Sequence, residues 1–186
     1  MIEHRVIGRM IRIVKLKTQE IKRTNEPDQA FIEALIDFIR TYVDQNHHGK
    51  EEDILFRDLK KKKISTEHKK IMNELLREHF VGRQTTSQLE AAKNHYYNGK
   101  KEELSVILEK MGSLATLYPR HIEKEDKHFF QPVMSYFSSE ELAKMLEEEH
   151  TFDRKMIHRK YSEVVRTFEE NMGVTFSMSK NWLDYL

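Results

Sequence analysis

Two segments of the chain place a histidine and a glutamate four residues apart: His121 and Glu125 in RHIEKEDKHFFQP, and His47 and Glu51 in NHHGKEEDILF. Each pair is followed by another acid, Asp126 or Glu52, and then by apolar residues, Phe129 and Phe130 or Leu55 and Phe56. On a helix, positions four apart lie one above the other on a single face. Each pair therefore offers an imidazole nitrogen and a carboxylate in the same direction. Two such pairs on facing helices supply nitrogens and bridging oxygens for a pair of metal ions. With 0 Cys in the chain, any metal must be held by nitrogen and oxygen alone.

Those pairs need elements to position them, and the apolar pattern predicts helices. Ile2, Val6, Ile7, Met10, Ile11 and Val14 recur at helical spacing, which predicts a first helix over 2–22. Thr24-Asn25-Glu26-Pro27 reads as a stop and restart, with Asn25 or Glu26 capping and Pro27 at the first helical position. A second helix is expected over 27–59. Ser65 caps a third, which Asn98-Gly99 ends. A fourth runs from about 100 to 131 and contains Pro119, expected to kink it one turn before His121. Ser138-Ser139-Glu140-Glu141 is a capping box opening a fifth, to about 172. Residues 173–186 show no clear period, and no strand pattern is found. The expected fold is all-α: an up-down-up-down four-helix bundle over 1–135, with a C-terminal helix and tail over 136–186 packing on it as part of one domain.

Up-down order gathers specific side chains at one end of that bundle. The fourth helix carries the row Ile107, Met111, Leu114, Tyr118, His121, Glu125, His128, apolar at first and ligand-like at the end. The second carries Ile32, Ile36, Ile39 and Val43 toward His47 and Glu51, the first His4 before Ile7, Ile11 and Val14, and the third Met72 and Leu75 toward His79 and Gly82. At helical rotation His47 continues its row while His48 turns away. His47 with Glu51 is thus the preferred pair, and His48 with Glu52 the alternative. His4, His47, His79 and His121 then meet Glu51 and Glu125 in one layer. A single inward histidine is ordinarily a hydrogen-bonded core residue, and His48, His68, His95, His128, His150 and His158 are read so. Six titratable groups buried together without a cation would carry a large desolvation cost.

Composition narrows the rest. The chain has 186 residues, 34% charged and 38% hydrophobic, with 6 Gly, 3 Pro and a formal charge of +1. This excludes a strong field for nucleic acid or membrane. Lys60 to Lys63 read as a solvated connection. No apolar run is long enough to span a bilayer and no signal-peptide pattern opens the chain, so a cytoplasmic protein is expected.

EHRVI at 3–7, HHGKEEDILF at 47–56, EHFVGR at 78–83 and HIEKEDKHFFQP at 121–132 resemble, in that order, the hemerythrin-like (HHE cation-binding) family. The resemblance implies a non-haem di-iron centre, oxo- or hydroxo-bridged, with zinc or manganese as possible substitutes. It implies His4, His47, Glu51, His79, His121 and Glu125 as ligands. Two positions depart from the oxygen-carrying members. The residue four after His79 is Arg83 rather than a second histidine, which leaves one iron more open. Asp126 stands at the spacing of their bridging aspartate, while Glu125 matches other members. Glu3, Glu78 and Asp126 are placed to orient ligand imidazoles.

The expected function is binding or sensing of dioxygen or a related small ligand. An oxidoreductase handling peroxide or nitric oxide, an iron-donating repair factor, and an interaction module with a structural metal are the alternatives. A small diatomic ligand is the expected partner, with association of copies through the C-terminal helix; whether the chain is an enzyme stays open.

Overall fold

The computed structural model describes residues 2–153 and 157–174. All regular structure among them is helical. Helix α1 is Ile2–Thr24. Helix α2 spans 29–59 and α3 is Thr66–Tyr97. Helix α4 spans 101–134, α5 is Ser139–Asp153 and α6 is Ile157–Asn171.

The ends follow local chemistry. Asn25 adopts φ 58° and closes α1, its N–H bonded to Ile21 O at 2.8 Å. The N-cap of α2 is Asp28, whose carboxylate accepts from Phe31 N at 3.0 Å; Asn25 and Glu26 do not cap that helix, and Pro27 precedes it. A carboxylate after the proline reaches a free first-turn N–H, which displaces the start expected from Pro27. Ser65 caps α3 through His68 N, and Gly99 at φ 102° terminates it. Ser138 and Glu141 form the reciprocal capping box that opens α5.

Helices α2 and α4 change winding where the ligand-type residues lie. Within α2, Gln29–Asp37 is α-helical, but Phe38–His48 and Glu51–Phe56 are π-helical; within α4, Glu125–Phe129 is π-helical. A π-turn bonds i to i+5 and so holds one more residue per turn than an α-turn. The wider winding carries His48 inward beside His47, where both are buried, against the expectation that His48 turns away. In α4 it puts Phe129, not His128, after Glu125 on the inner face; His128 is exposed.

Two apolar cores result. The longer is built from Val6, Ile7, Ile11, Ile32, Ile39, Val43, Leu89, Met111, Leu114 and Tyr118, with Tyr161 and Val165 of α6 packed onto it. The shorter closes the other end with Leu55, Phe56, Leu59, Met72, Leu75, Phe129 and Val133, joined by Met145 of α5. Between them, on every one of α1 to α4, lies a polar layer: His4, His47–Glu51, His79 and His121–Glu125. Gly82 lets α3 approach Tyr118, because a Cβ there would sit 3.1 Å from the phenol oxygen. His150 is exposed, whereas Tyr161 is buried with its hydroxyl donating to Asp37 at 2.6 Å. The side chains of Asp153 and His158, and residues 175–186, lie outside the described residues. No helix among those described is long and apolar enough to cross a membrane.

Candidate metal centre

Each helix of the polar layer delivers its donor by a simple geometric rule. His4 lies in the first turn of α1, ahead of the buried Ile7 and Ile11. His79 follows Leu75 by four positions in α3, and His121 follows Tyr118 by three in α4. His47 and Glu51 sit one turn apart in the widened part of α2. All of these, with Glu125, are buried.

Donor atoms converge as two overlapping sets. In the first are His4, His47, Glu51 and Glu125; in the second are Glu51, His79, His121 and Glu125. Within each set the donors lie within 4.8 Å of one another. His4 Nε2 and His47 Nε2 are 3.2 Å apart. Two nitrogens at right angles on one metal, each about 2.1 Å from it, stand about 3 Å apart. The rings of His4 and His47 are 4.8 Å apart at 87°, and those of His79 and His121 4.9 Å apart at 70°. Both arrangements suit neighbouring ligands.

The carboxylates divide their oxygens between the sets. Glu51 turns Oε1 to His47 Nε2 at 3.5 Å and Oε2 to His79 Nε2 at 3.3 Å. Glu125 turns Oε2 to His4 Nε2 at 3.3 Å, and Oε1 to His121 Nε2 at 3.0 Å and His79 Nε2 at 4.0 Å. One oxygen of each acid thus faces each set. Both oxygens of Glu51 and Glu125, with Nε2 of His79 and His121, are buried without a hydrogen-bond partner. Buried polar atoms are nearly always satisfied, and a cluster of inward-facing nitrogens and carboxylate oxygens of this kind is what a cation would satisfy. The donor set fits the group.

Behind each imidazole stands an acid. Nδ1 of His4 donates to Asp126 at 2.9 Å, His47 to Glu3 at 3.0 Å, His79 to Glu52 at 2.7 Å and His121 to Glu78 at 2.8 Å. Such partners fix the tautomer, leaving Nε2 as the inward donor, and raise its basicity. Cations hold the acids in turn: Lys50 at Glu3, Lys124 at Glu78, and Arg83 at Glu52. Glu3, Glu78 and Asp126 therefore stand behind imidazoles, as the sequence reading has them. Glu52 and Asp126, considered there as alternative ligands, are instead placed on Nδ1 atoms outside the two donor sets.

His48 is brought in as well. Its donor lies within 4.8 Å of those of His79 and His121, its Nε2 is buried without a partner, and its Nδ1 faces Asp44 at 3.4 Å. Its ring, however, is stacked on that of His79, 3.8 Å apart and 9° from parallel. A metal in the plane of one ring cannot lie in the plane of the other. Asp44 and Arg83 went unnoticed as supports, although Asp44 precedes His48 by four residues and Arg83 follows His79 by four, both legible spacings.

Electrostatics follow from the crowding. Burial opposes charging of the imidazoles, but the facing acids outweigh it: Asp126 and Glu125 bring His4 to about 9, Glu125, Glu51 and Glu52 bring His79 to about 11, and Glu125 and Glu78 bring His121 to about 9. Burial likewise disfavours ionised Glu125 and Glu3, yet the imidazoles around Glu125 hold it well below the carboxylate range, and His47 and Lys50 bring Glu3 to about 2. His48 moves the other way: burial, then the neighbouring imidazoles, push it well down and keep it neutral.

The family model for the hemerythrin HHE cation binding domain matches residues 1–133, which contain every residue of both donor sets. No curated protein and no solved structure matches the chain.

Proposed function

The chain belongs to the hemerythrin HHE cation-binding family, and on that premise we propose that it is a non-haem di-iron protein that binds or senses dioxygen or a related small ligand. The observation that carries this reading is the division of oxygens: Glu51 and Glu125 each present one oxygen to His4 and His47 and the other to His79 and His121. Four imidazoles and two bridging carboxylates suit divalent iron, and also zinc or manganese. Four helices meeting at one layer are the scaffold of the proposal.

The chain's own residues have definite work in this reading. His4 and His47 would hold one ion and His79 and His121 the other, with Glu51 and Glu125 shared between them. Four protein donors per ion would leave room for an exogenous ligand. An iron pair held there would supply electrons to such a ligand. Phe129, Leu114, Tyr118 and Ile7 surround the layer and exclude water. Asp126, Glu3, Glu52 and Glu78 keep each imidazole aimed inward while protons leave the Nε2 atoms on metal binding.

Iron analysis after anaerobic reconstitution, followed by optical spectra on admission of air, tests the proposal. Two irons per chain and the growth of bridged diferric absorption are expected. One iron, or a colourless zinc protein that does not respond to air, would overturn it.

A further inference from the structure

A cavity of about 540 Å³ adjoins the polar layer at the closed end of the bundle. Its walls are Leu55 of α2, Phe130 and Met134 of α4, and Leu142, Met145 and Leu146 of α5. His47 and Glu51, one imidazole and one shared carboxylate of the two donor sets, also line it, beside Glu3 and Lys50. The wall from α5 lies beyond residue 133, where the family match ends. This segment is held in place by its own contacts. Met145 is buried in the shorter core, Arg57 donates to Glu148 at 2.9 Å, and Lys62 donates to Glu141 at 2.6 Å.

The size of the cavity bears on what it takes. A molecule as small as water occupies about 30 Å³ of liquid, and a diatomic gas is not much larger. The cavity exceeds that by an order of magnitude and falls within the range of sites for organic ligands. Its walls are mostly hydrocarbon and thioether, with Gln131 and Glu149 among them, above the polar floor. Two divalent ions held by Glu51, Glu125 and neutral imidazoles would leave an excess of positive charge at that floor, where Glu3 and Lys50 offset one another. An anionic head therefore belongs at Glu51 and a hydrocarbon body against Met145.

We infer that this cavity binds a monocarboxylic acid with a hydrocarbon body, its carboxylate at the metal pair and its tail between α4 and α5. The inference rests on the di-metal reading above. It gives α5 a function: this helix adds a site for an amphiphile beside the small-ligand centre.

Octanoate, acetate and 1-octanol are the probes, titrated by calorimetry into the full chain loaded with cobalt(II), whose visible bands report coordination. Each methylene removed from water is worth roughly fourfold in affinity. Octanoate is thus expected to bind more than tenfold tighter than acetate, which has the head alone, and than octanol, which lacks the charge. It should also shift the cobalt bands. Met145→Trp, which fills the cavity, should abolish the advantage of octanoate over acetate while two metals stay bound. Leu146, 53% exposed at the rim, offers a variant with little risk to folding, and Leu146→Glu should weaken octanoate more than acetate. Equal affinities for octanoate and acetate, or octanoate binding untouched by both variants, would overturn the inference and leave the metal reading intact. A chain that takes up no cobalt would overturn the metal reading, and the charged floor with it.

Discussion

Arg83 and His79, one helical turn apart on α3, share a single acceptor: Oε1 of Glu52 lies 2.7 Å from the guanidinium and 2.7 Å from His79 Nδ1. The same guanidinium donates through Nε to Asp44 at 2.6 Å, and Asp44 faces His48. Arg83 thus occupies the place of a second α3 histidine without offering a lone pair to a metal. It holds the two acids that stand behind His79 and His48.

Arg83→His should therefore weaken metal binding rather than add a ligand. Loss of a supporting partner of a ligand imidazole costs roughly 10–100-fold in metal affinity. A guanidinium acting through Glu52 belongs at the lower end, about tenfold. Metal titration against a chelator of known affinity measures it, and tighter binding in the variant would contradict this account of Arg83.

The two adjacent histidines of α2 should separate cleanly. His47 Nε2 faces both His4 and Glu51, so His47→Ala should lower the metal content to about one per chain. His48 stacks flat on His79 and stands outside the four-donor sets. His48→Ala should keep two metals at severalfold reduced affinity, through a loosened His79. Should His48→Ala lose a metal as readily as His47→Ala, the ring must tilt off His79 to coordinate.

Much of this arrangement was legible in the sequence, for a definite reason. The rows ending in His47–Glu51 and His121–Glu125 obey helical periodicity, and a pair four apart keeps its alignment in either winding. His4 and His79 were legible as continuations of apolar rows. What escaped was whatever depends on the π-turns of α2 and α4. The extra residue per turn brings His48 inward and replaces His128 by Phe129, and no local preference in FIRTYVDQNHH announces it. Glu52 was similarly ambiguous: adjacent to Glu51, it becomes a support for His79 only once α3 packs beside α2. The start of α2 moved because the Asp28 carboxylate reaches Phe31 N, a capping choice that Pro27 obscured.

Bridging and terminal ligands should differ in what their loss removes. Glu125 faces His4, His79 and His121, so Glu125→Ala should empty both positions. His121→Ala should empty only the second, leaving His4, His47, Glu51 and Glu125 around the first. Metal content by elemental analysis and magnetic coupling between paired ions separate the cases. A coupled pair surviving in Glu125→Ala would exclude it as a bridge.

Protons and metal should compete for the same nitrogens, giving opposite pH slopes to the two forms of the protein. In the metal-free chain His4 and His121 are raised to about 9 and His79 to about 11, against about 6.5 when unfolded. Between those values the folded chain binds more protons than the unfolded one, so stability falls as pH rises. The contribution is complete below about 6.5 and is lost through 9 and above. Glu3, lowered to about 2 by His47 and Lys50 against its burial, and Glu125, held well below the carboxylate range by His121, His4 and His79 against its burial, add stability that is present above about 4.5 and lost in acid. The melting temperature of the metal-free protein should thus peak between about pH 4.5 and 6.5. Metal binding instead requires the three imidazolium protons to leave. At pH 7 it should release roughly three protons per chain, and metal affinity should climb from pH 6 to 9. Calorimetry in buffers of different ionisation enthalpy counts the protons, and melting curves with chelator and with metal give the two slopes. Parallel slopes, or binding without proton release, would mean that His4, His79 and His121 are not the nitrogens the metal takes.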